Sequence, residues 1–78
     1  MNMNKRNDWE QVLTRANEAL SKKGYEIRIN NDGDGYFNCE IFKNNRSIET
    51  YAENYFEEEL SDLVIDAWNY VETEKPGK

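Results

Sequence analysis

The residues best equipped for chemistry in this chain are carboxylates. Nine of them, Glu49, Glu53, Glu57, Glu58, Glu59, Asp62, Asp66, Glu72 and Glu74, fall between Ser47 and Glu74 with no Lys or Arg among them. On a helix, Glu58, Asp62 and Asp66 follow one another at one-turn intervals, about 6 Å apart. A solvated helix usually interleaves charges of opposite sign at this spacing, and here like charges repeat instead. A row of anions at that interval is comparable to the phosphates along a nucleic-acid strand, so it suits recognition by a basic surface. Catalysis has less to work with. The chain contains no His, the commonest general base and metal ligand. Its lone cysteine, Cys39, alternates with apolar neighbours and is expected in the core, where a thiolate is costly. Carboxylate pairs on an exposed helix have nothing to desolvate them and raise a pKa. No catalytic residue, no cofactor and no metal ligand is therefore expected.

One other stretch carries possible ligands. The turn Asn30-x-Asp32-x-Asp34-Gly35 is similar to the first half of a calcium-binding EF-hand loop, in which oxygens at alternate positions face one ion. The second half departs from that pattern, because the twelfth position is Ile41 instead of a bidentate Glu. Strands are also expected on both sides of it, which makes a hairpin turn rich in Asn, Asp and Gly the simpler reading.

The elements that must position these residues follow from hydrophobic spacing. Asn7-Asp8-Trp9-Glu10 has the form of a capping box, and Trp9, Val12, Leu13, Ala16, Ala19 and Leu20 mark one face of a helix over residues 8–23 that Gly24 ends. Tyr25 to Ile29 alternates as a strand, Phe37, Cys39 and Ile41 mark a second, and Ser47 to Thr50 a short third. Asn44-Asn45 suits a two-residue hairpin. A long second helix is predicted over residues 50–74, starting at the capping box Thr50-Tyr51-Ala52-Glu53 or alternatively at Asn54 with Glu57. Its apolar stripe would be Ala52, Phe56, Leu60, Leu63, Val64, Ala67 and Val71, with Glu58, Asp62, Ile65, Asp66 and Asn69 opposite. The fold class is therefore α+β, in the order α-β-β-β-α: a three-stranded antiparallel meander with two helices packed on one face. Tyr25, Ile27, Ile29, Phe37, Cys39, Ile41 and Ile48 would face the helices, leaving Glu26, Arg28, Tyr36, Asn38, Glu40, Phe42 and Glu49 on the open face.

With 78 residues, the chain makes one small domain, 1–78, with an ordered core of about 8–73 and frayed ends. It lies near the size at which a domain needs a partner or a second copy for stability, so a homodimer is a live expectation. Charge is unevenly distributed: residues 1–24 carry +2, residues 25–51 carry −2 and residues 52–78 carry −6. This polarity argues against nucleic acid as a direct ligand. The lack of a long apolar run and of an apolar leader argues for a cytoplasmic protein with no membrane partner.

Two resemblances arise from these features. From Trp9 to Val71 the order of elements resembles the double-stranded-RNA-binding domain. That family's last helix begins with a basic cluster, and the corresponding stretch here, Ala52 to Glu59, holds Glu53, Glu57, Glu58 and Glu59, so no RNA-binding residue carries over. The size, the element order, the segment Ile27-Arg28-Ile29-Asn30-Asn31-Asp32-Gly33 and the acidic last helix are similar to small acidic phage-encoded inhibitors, including anti-CRISPR and host-takeover proteins that mimic DNA. That resemblance implies competition in a bacterial or phage-infected cell for the DNA site of a basic protein, such as a histone-like nucleoid protein or a CRISPR effector.

The sequence thus leads to a non-enzymatic acidic binding protein whose partner is a basic DNA-binding protein. Its expected contact residues are Glu57, Glu58, Glu59, Asp62, Asp66 and Glu72, with Tyr55 and Ile65 as apolar anchors. The alternative is a small structural or adaptor domain that binds a protein through its open sheet face around Tyr36, Phe42 and Tyr51. A calcium-responsive turn is a third reading.

Overall fold

The computed structural model describes residues 8–77. Helix α1 spans Asp8–Ser21, strands β1, β2 and β3 span Tyr25–Asn31, Phe37–Lys43 and Arg46–Tyr55, a 3₁₀ turn covers Glu57–Glu59, and helix α2 runs over Leu60–Glu74. The strands form an antiparallel meander in the order β1-β2-β3, and the helices share one of its faces, so the architecture is α-β-β-β-α. Asn7, the expected cap of α1, lies outside the described residues.

Helix α1 buries Ala16 and Leu20, with Trp9, Val12 and Leu13 packed against the core one and two turns earlier. It ends two residues before the predicted boundary. Lys23 and Gly24 donate backbone N–H groups to Leu20 and Ser21 at 2.9 and 3.0 Å, and Gly24 takes φ +86°, a left-handed geometry that favours glycine and turns the chain into β1. Asn44 and Asn45, with φ of 53° and 68°, make the tight turn that joins β2 to β3.

The core is one cluster: Ala16, Leu20, Tyr25, Ile27, Cys39, Ile41, Leu60, Leu63, Val64, Ala67 and Val71 are all buried. Opposed pairs Ile27↔Ile41 and Ile29↔Cys39 point to the helices, and Glu26↔Phe42 and Arg28↔Glu40 point away. On the open face the Arg28 guanidinium lies 3.9 Å from the Phe42 ring centroid and 3.2 Å from a Glu26 carboxylate oxygen. Glu40 accepts hydrogen bonds from Asn30 and Ser47.

The third strand departs most from expectation. It continues to Tyr55, and three register irregularities let its ten residues oppose the seven of β2. Between the pairs Ile41↔Glu49 and Phe42↔Ser47 the extra residue is Ile48, and between Cys39↔Ala52 and Glu40↔Thr50 it is Tyr51. These bulges break the period-two reading. Ile48, expected in the core, is 37 % exposed at the rim, where a Cβ on Gly77 would meet its side chain at 2.6 Å. Glu49, expected on the open face, opposes Ile41, and its carboxylate accepts the Tyr70 hydroxyl of α2, which lies 2.7 and 2.9 Å from its two oxygens. Tyr51 also turns to the helix side and stacks on Tyr70, with ring centroids 5.0 Å apart.

Helix α2 correspondingly starts at Leu60, ten residues after the predicted beginning. Neither proposed capping box forms. Residues 50–55 are extended, Asn54 bends the chain with φ 66°, and the Glu59 carboxylate instead accepts from the Phe56 N–H at 2.9 Å. Phe56, placed on the core stripe by helical spacing, precedes the helix and is 50 % exposed. At the other end Lys75 adopts φ 49° and donates to the Val71 carbonyl at 3.0 Å, while the Tyr25 hydroxyl donates to the Pro76 carbonyl at 2.6 Å.

Both sheet edges are protected. The Asn17 carboxamide of α1 lies against β1 and binds Ile27 twice, donating to its carbonyl at 3.0 Å and accepting from its N–H at 2.8 Å. It takes the place a further strand would occupy there. The bulges do the same work on β3 by interrupting the regular ladder that strand addition requires.

Candidate protein-interaction surface

Chain direction alternates from element to element, so the connections collect at two ends of the molecule. One end holds the start of α1, the β1–β2 turn and the 3₁₀ turn; the other holds the ends of both helices and the β2–β3 hairpin. Charge follows this division. Asp8, Glu10, Asp32, Asp34, Glu57, Glu58 and Glu59 are exposed at the first end, and Lys22, Lys23, Lys43, Arg46 and Lys75 belong to the second. Part of this polarity complements the helix dipoles, which favour anions at helix starts and cations at helix ends. The aspartates of the β1–β2 turn are not accounted for in that way, because they sit on no helix.

The expected contact residues separate into groups. Glu57, Glu58 and Glu59 lie on the exposed 3₁₀ turn, and Asp62, Ile65 and Asp66 are exposed on the first two turns of α2, which follows it directly. Ile65 is 50 % exposed. Tyr55 is the last residue of β3 and is half-buried against the core, off the helix on which it was expected. Glu72 stands near the other end of α2, where it pairs with Lys23 and accepts a hydrogen bond from the Trp68 indole at 3.3 Å. Lys23 accordingly holds the Glu72 carboxyl below its ordinary range. Spacing along the helix conceals this partner, which arrives from the turn after α1.

The aromatic residues of the adaptor reading do not share one face. Phe42 lies beneath Arg28 on the open side, Tyr51 stacks on Tyr70 on the helix side, and Tyr36 sits in the connection before β2. Sequence reasoning missed where Tyr36 goes. It packs against Phe56, with ring centroids 5.3 Å apart and planes inclined by 33°. Tyr36 is 37 % exposed and Phe56 50 %, which puts an uncovered aromatic pair beside the acidic turns. Two aromatic residues, each next to a charged turn, are a signal that the helical assignment of Phe56 hid.

Of the three possible calcium ligands in the β1–β2 turn, Asn30 donates to the Glu40 carboxylate at 3.2 Å and Asp32 serves the backbone. Asn31 Oδ1 accepts from Gly33 N–H at 2.9 Å, Asp32 Oδ1 accepts from Asp34 N–H at 3.0 Å, and the Asp32 N–H donates to the Tyr36 carbonyl at 3.0 Å. The two side-chain bonds are those of Asx turns, and the third joins the backbone across the turn. Among the described residues, no group of three or more His, Cys, Asp or Glu is placed to hold a metal ion.

Burial pushes the Cys39 thiol up to about 12, which leaves almost no thiolate at neutral pH. Tyr51 is raised by burial and by the nearby Asp66 charge, and Tyr70 chiefly by its hydrogen bond to Glu49. A thiol whose folded pKa exceeds its unfolded value near 8.5–9 contributes stability that is complete below that value and is lost as pH rises toward 12. Stability is therefore expected to fall above about pH 9, with Cys39 adding a slope of up to about 1.4 kcal/mol per pH unit. Urea midpoints at pH 7, 9 and 10 test this. Cys39→Ala should flatten the slope, so that its cost relative to the parent chain is largest at pH 7 and shrinks by pH 10, and an unchanged slope would contradict the assignment.

Among the described residues no helix is long and apolar enough to cross a membrane. Comparison with protein-family models, with curated proteins and with solved structures finds no match.

Proposed function

We propose that this chain is a non-enzymatic binding protein that occupies the DNA-binding site of a basic protein, as DNA-mimicking inhibitors do. The observation that supports this reading most is the exposure of Glu57, Glu58, Glu59, Asp62, Ile65 and Asp66 on the 3₁₀ turn and the adjoining turns of α2, for which the structure gives no ion pair among the described residues. Glu57, Glu58, Asp62 and Asp66 have no ion-pair partner among the described residues, whereas Glu59 caps the Phe56 N–H, and Ile65 offers an apolar contact within a polar rim. A basic protein built to hold phosphates presents the matching charge, and phosphates themselves are repelled. Histone-like nucleoid proteins and CRISPR effectors are the partner classes that the acidic-inhibitor resemblance suggests.

Electrostatic complementarity acts mainly on association rate and partner choice, so binding should weaken steeply with salt and yield to added DNA. The test is capture of basic DNA-binding proteins from a bacterial lysate at low and high salt, followed by titration of the captured protein with the variant E58K/D62K. Reversal of both charges is expected to lower affinity by at least about tenfold, or 1.4 kcal/mol, with the fold intact because both side chains are exposed. Unchanged affinity would reject this surface as the contact, and capture of a neutral protein insensitive to DNA would reject mimicry.

A further inference from the structure

Resting on that reading, we infer that the Tyr36–Phe56 pair is the anchor of the interaction surface and takes an arginine from a basic segment of the partner. Phe56 leaves half its surface in water, and its ring packs against another exposed ring. Exposed aromatic surface edged by charge marks a contact site more often than a solvated face. The pair is held in place from both sides. The Glu59 carboxylate binds the Phe56 N–H, and the Tyr36 carbonyl accepts from the Asp32 N–H. These bonds fix the backbone from which each ring projects, which lowers the ordering cost of binding there.

Charge selects the occupant. Exposed Asp34 precedes Tyr36 by two residues and exposed Glu57 follows Phe56 directly, so each ring has a carboxylate within two residues along the chain. A planar guanidinium can lie on a ring and donate to a carboxylate at the same time, which an ammonium does less well. The open sheet face already uses this combination within the chain: Arg28 lies over Phe42 and binds Glu26. The Tyr36–Phe56 end repeats ring and carboxylate without a guanidinium among the described residues. A second copy fits less well, since two chains of net charge −6 repel each other. A strand added at an edge is opposed by Asn17 on β1 and by the bulges of β3.

A flexible nine-residue Gly/Ser peptide carrying three arginines is the probe, with lysine and citrulline versions as controls, titrated at low salt and followed by the ring proton signals of Tyr36 and Phe56. The arginine peptide should shift both rings, the lysine peptide should bind more weakly and the citrulline peptide should not bind. Phe56→Leu, which keeps an apolar side chain and removes the ring, should weaken arginine-peptide binding about fivefold, with the amide spectrum reporting an intact fold. Equal binding by Phe56→Leu, with shifts confined to Asp62–Asp66, would overturn the anchor while leaving the acidic surface standing. Loss of the E58K/D62K effect on the captured partner would instead overturn the acidic surface itself. Ring shifts that depend on protein concentration without peptide would make a second copy the occupant. Ring shifts on changing Lys5 and Arg6 to Gln, again without peptide, would make it the chain's own amino-terminal segment, and either result rejects a partner arginine.

Discussion

Replacing Leu60 by Ala is expected to lower stability by about 2–5 kcal/mol, the cost of removing a fully buried leucine and leaving its space incompletely filled. That is a large part of the total for a domain of this size, at roughly 0.05–0.15 kcal/mol per residue. Leu60 is wholly inaccessible to solvent, and it is the first residue of α2, directly after the Glu57–Glu59 turn. It therefore ties the acidic turn to the core, and its loss should loosen the turn as well as the helix. Ile65→Ala is the matched control. It removes an apolar side chain from the same helix, but one half exposed, and should cost no more than about 0.5–1 kcal/mol. Urea unfolding with the m-value held constant distinguishes the two. Equal midpoints for the two variants would mean that the start of α2 is not docked through Leu60.

The second large effect is expected at Asn17, where Ala should cost about 2–3 kcal/mol although the residue is polar and only half buried. The substitution removes no apolar packing of consequence. It leaves the N–H and carbonyl of Ile27 without the amide that binds both at 2.8 and 3.0 Å, and unpaired backbone groups that are partly shielded from water are costly. It also uncovers the β1 edge, so the variant should self-associate more strongly with rising concentration than the parent chain, as sedimentation velocity would show. Asn17→Asp separates the two contributions. It keeps the acceptor for the Ile27 N–H and sets a carboxylate against the carbonyl, so it should be no more stable than the Ala variant. Stability within about 0.5 kcal/mol of the parent chain for Asn17→Ala would show that solvent replaces the carboxamide at no cost.

These residues also show which kinds of information the linear chain carries. Helix α1, the first two strands and the Asn44-Asn45 turn were readable because each depends on local rules: apolar spacing of 3.6 or 2, and side chains that tolerate positive φ. The start of α2 was not readable. Thr50-x-x-Glu53 and Asn54-x-x-Glu57 both have the form of a cap, and the pair that forms, Phe56 with Glu59, has a phenylalanine where a small polar residue is expected. The β-branched and aromatic side chains of Thr50, Tyr51 and Tyr55 favour a strand. Pairing with β2 then decides the matter, because its neighbour is distant in sequence. The bulges of β3 are equally non-local, and they move Ile48 to the rim and Glu49 under the helix.

For the surface, the amino-acid sequence by itself determined the excess of carboxylates in the last third, the absence of His, the order of elements and a core containing Cys39 and α2's apolar stripe. Tertiary structure alone decided which carboxylates stand free. Lys23 reaches Glu72 across the two helices, Tyr70 reaches Glu49 across the helix–sheet interface, and Glu59 folds back on Phe56, whereas Glu57, Glu58, Asp62 and Asp66 remain open to solvent. It alone also placed Tyr36 against Phe56, twenty residues apart and both uncovered. The physical reason is that composition and periodicity report what a side chain is and which side of its own element it occupies. Ion pairs, bulges and ring stacks depend on where other elements arrive, and that is set only when the chain closes on its core.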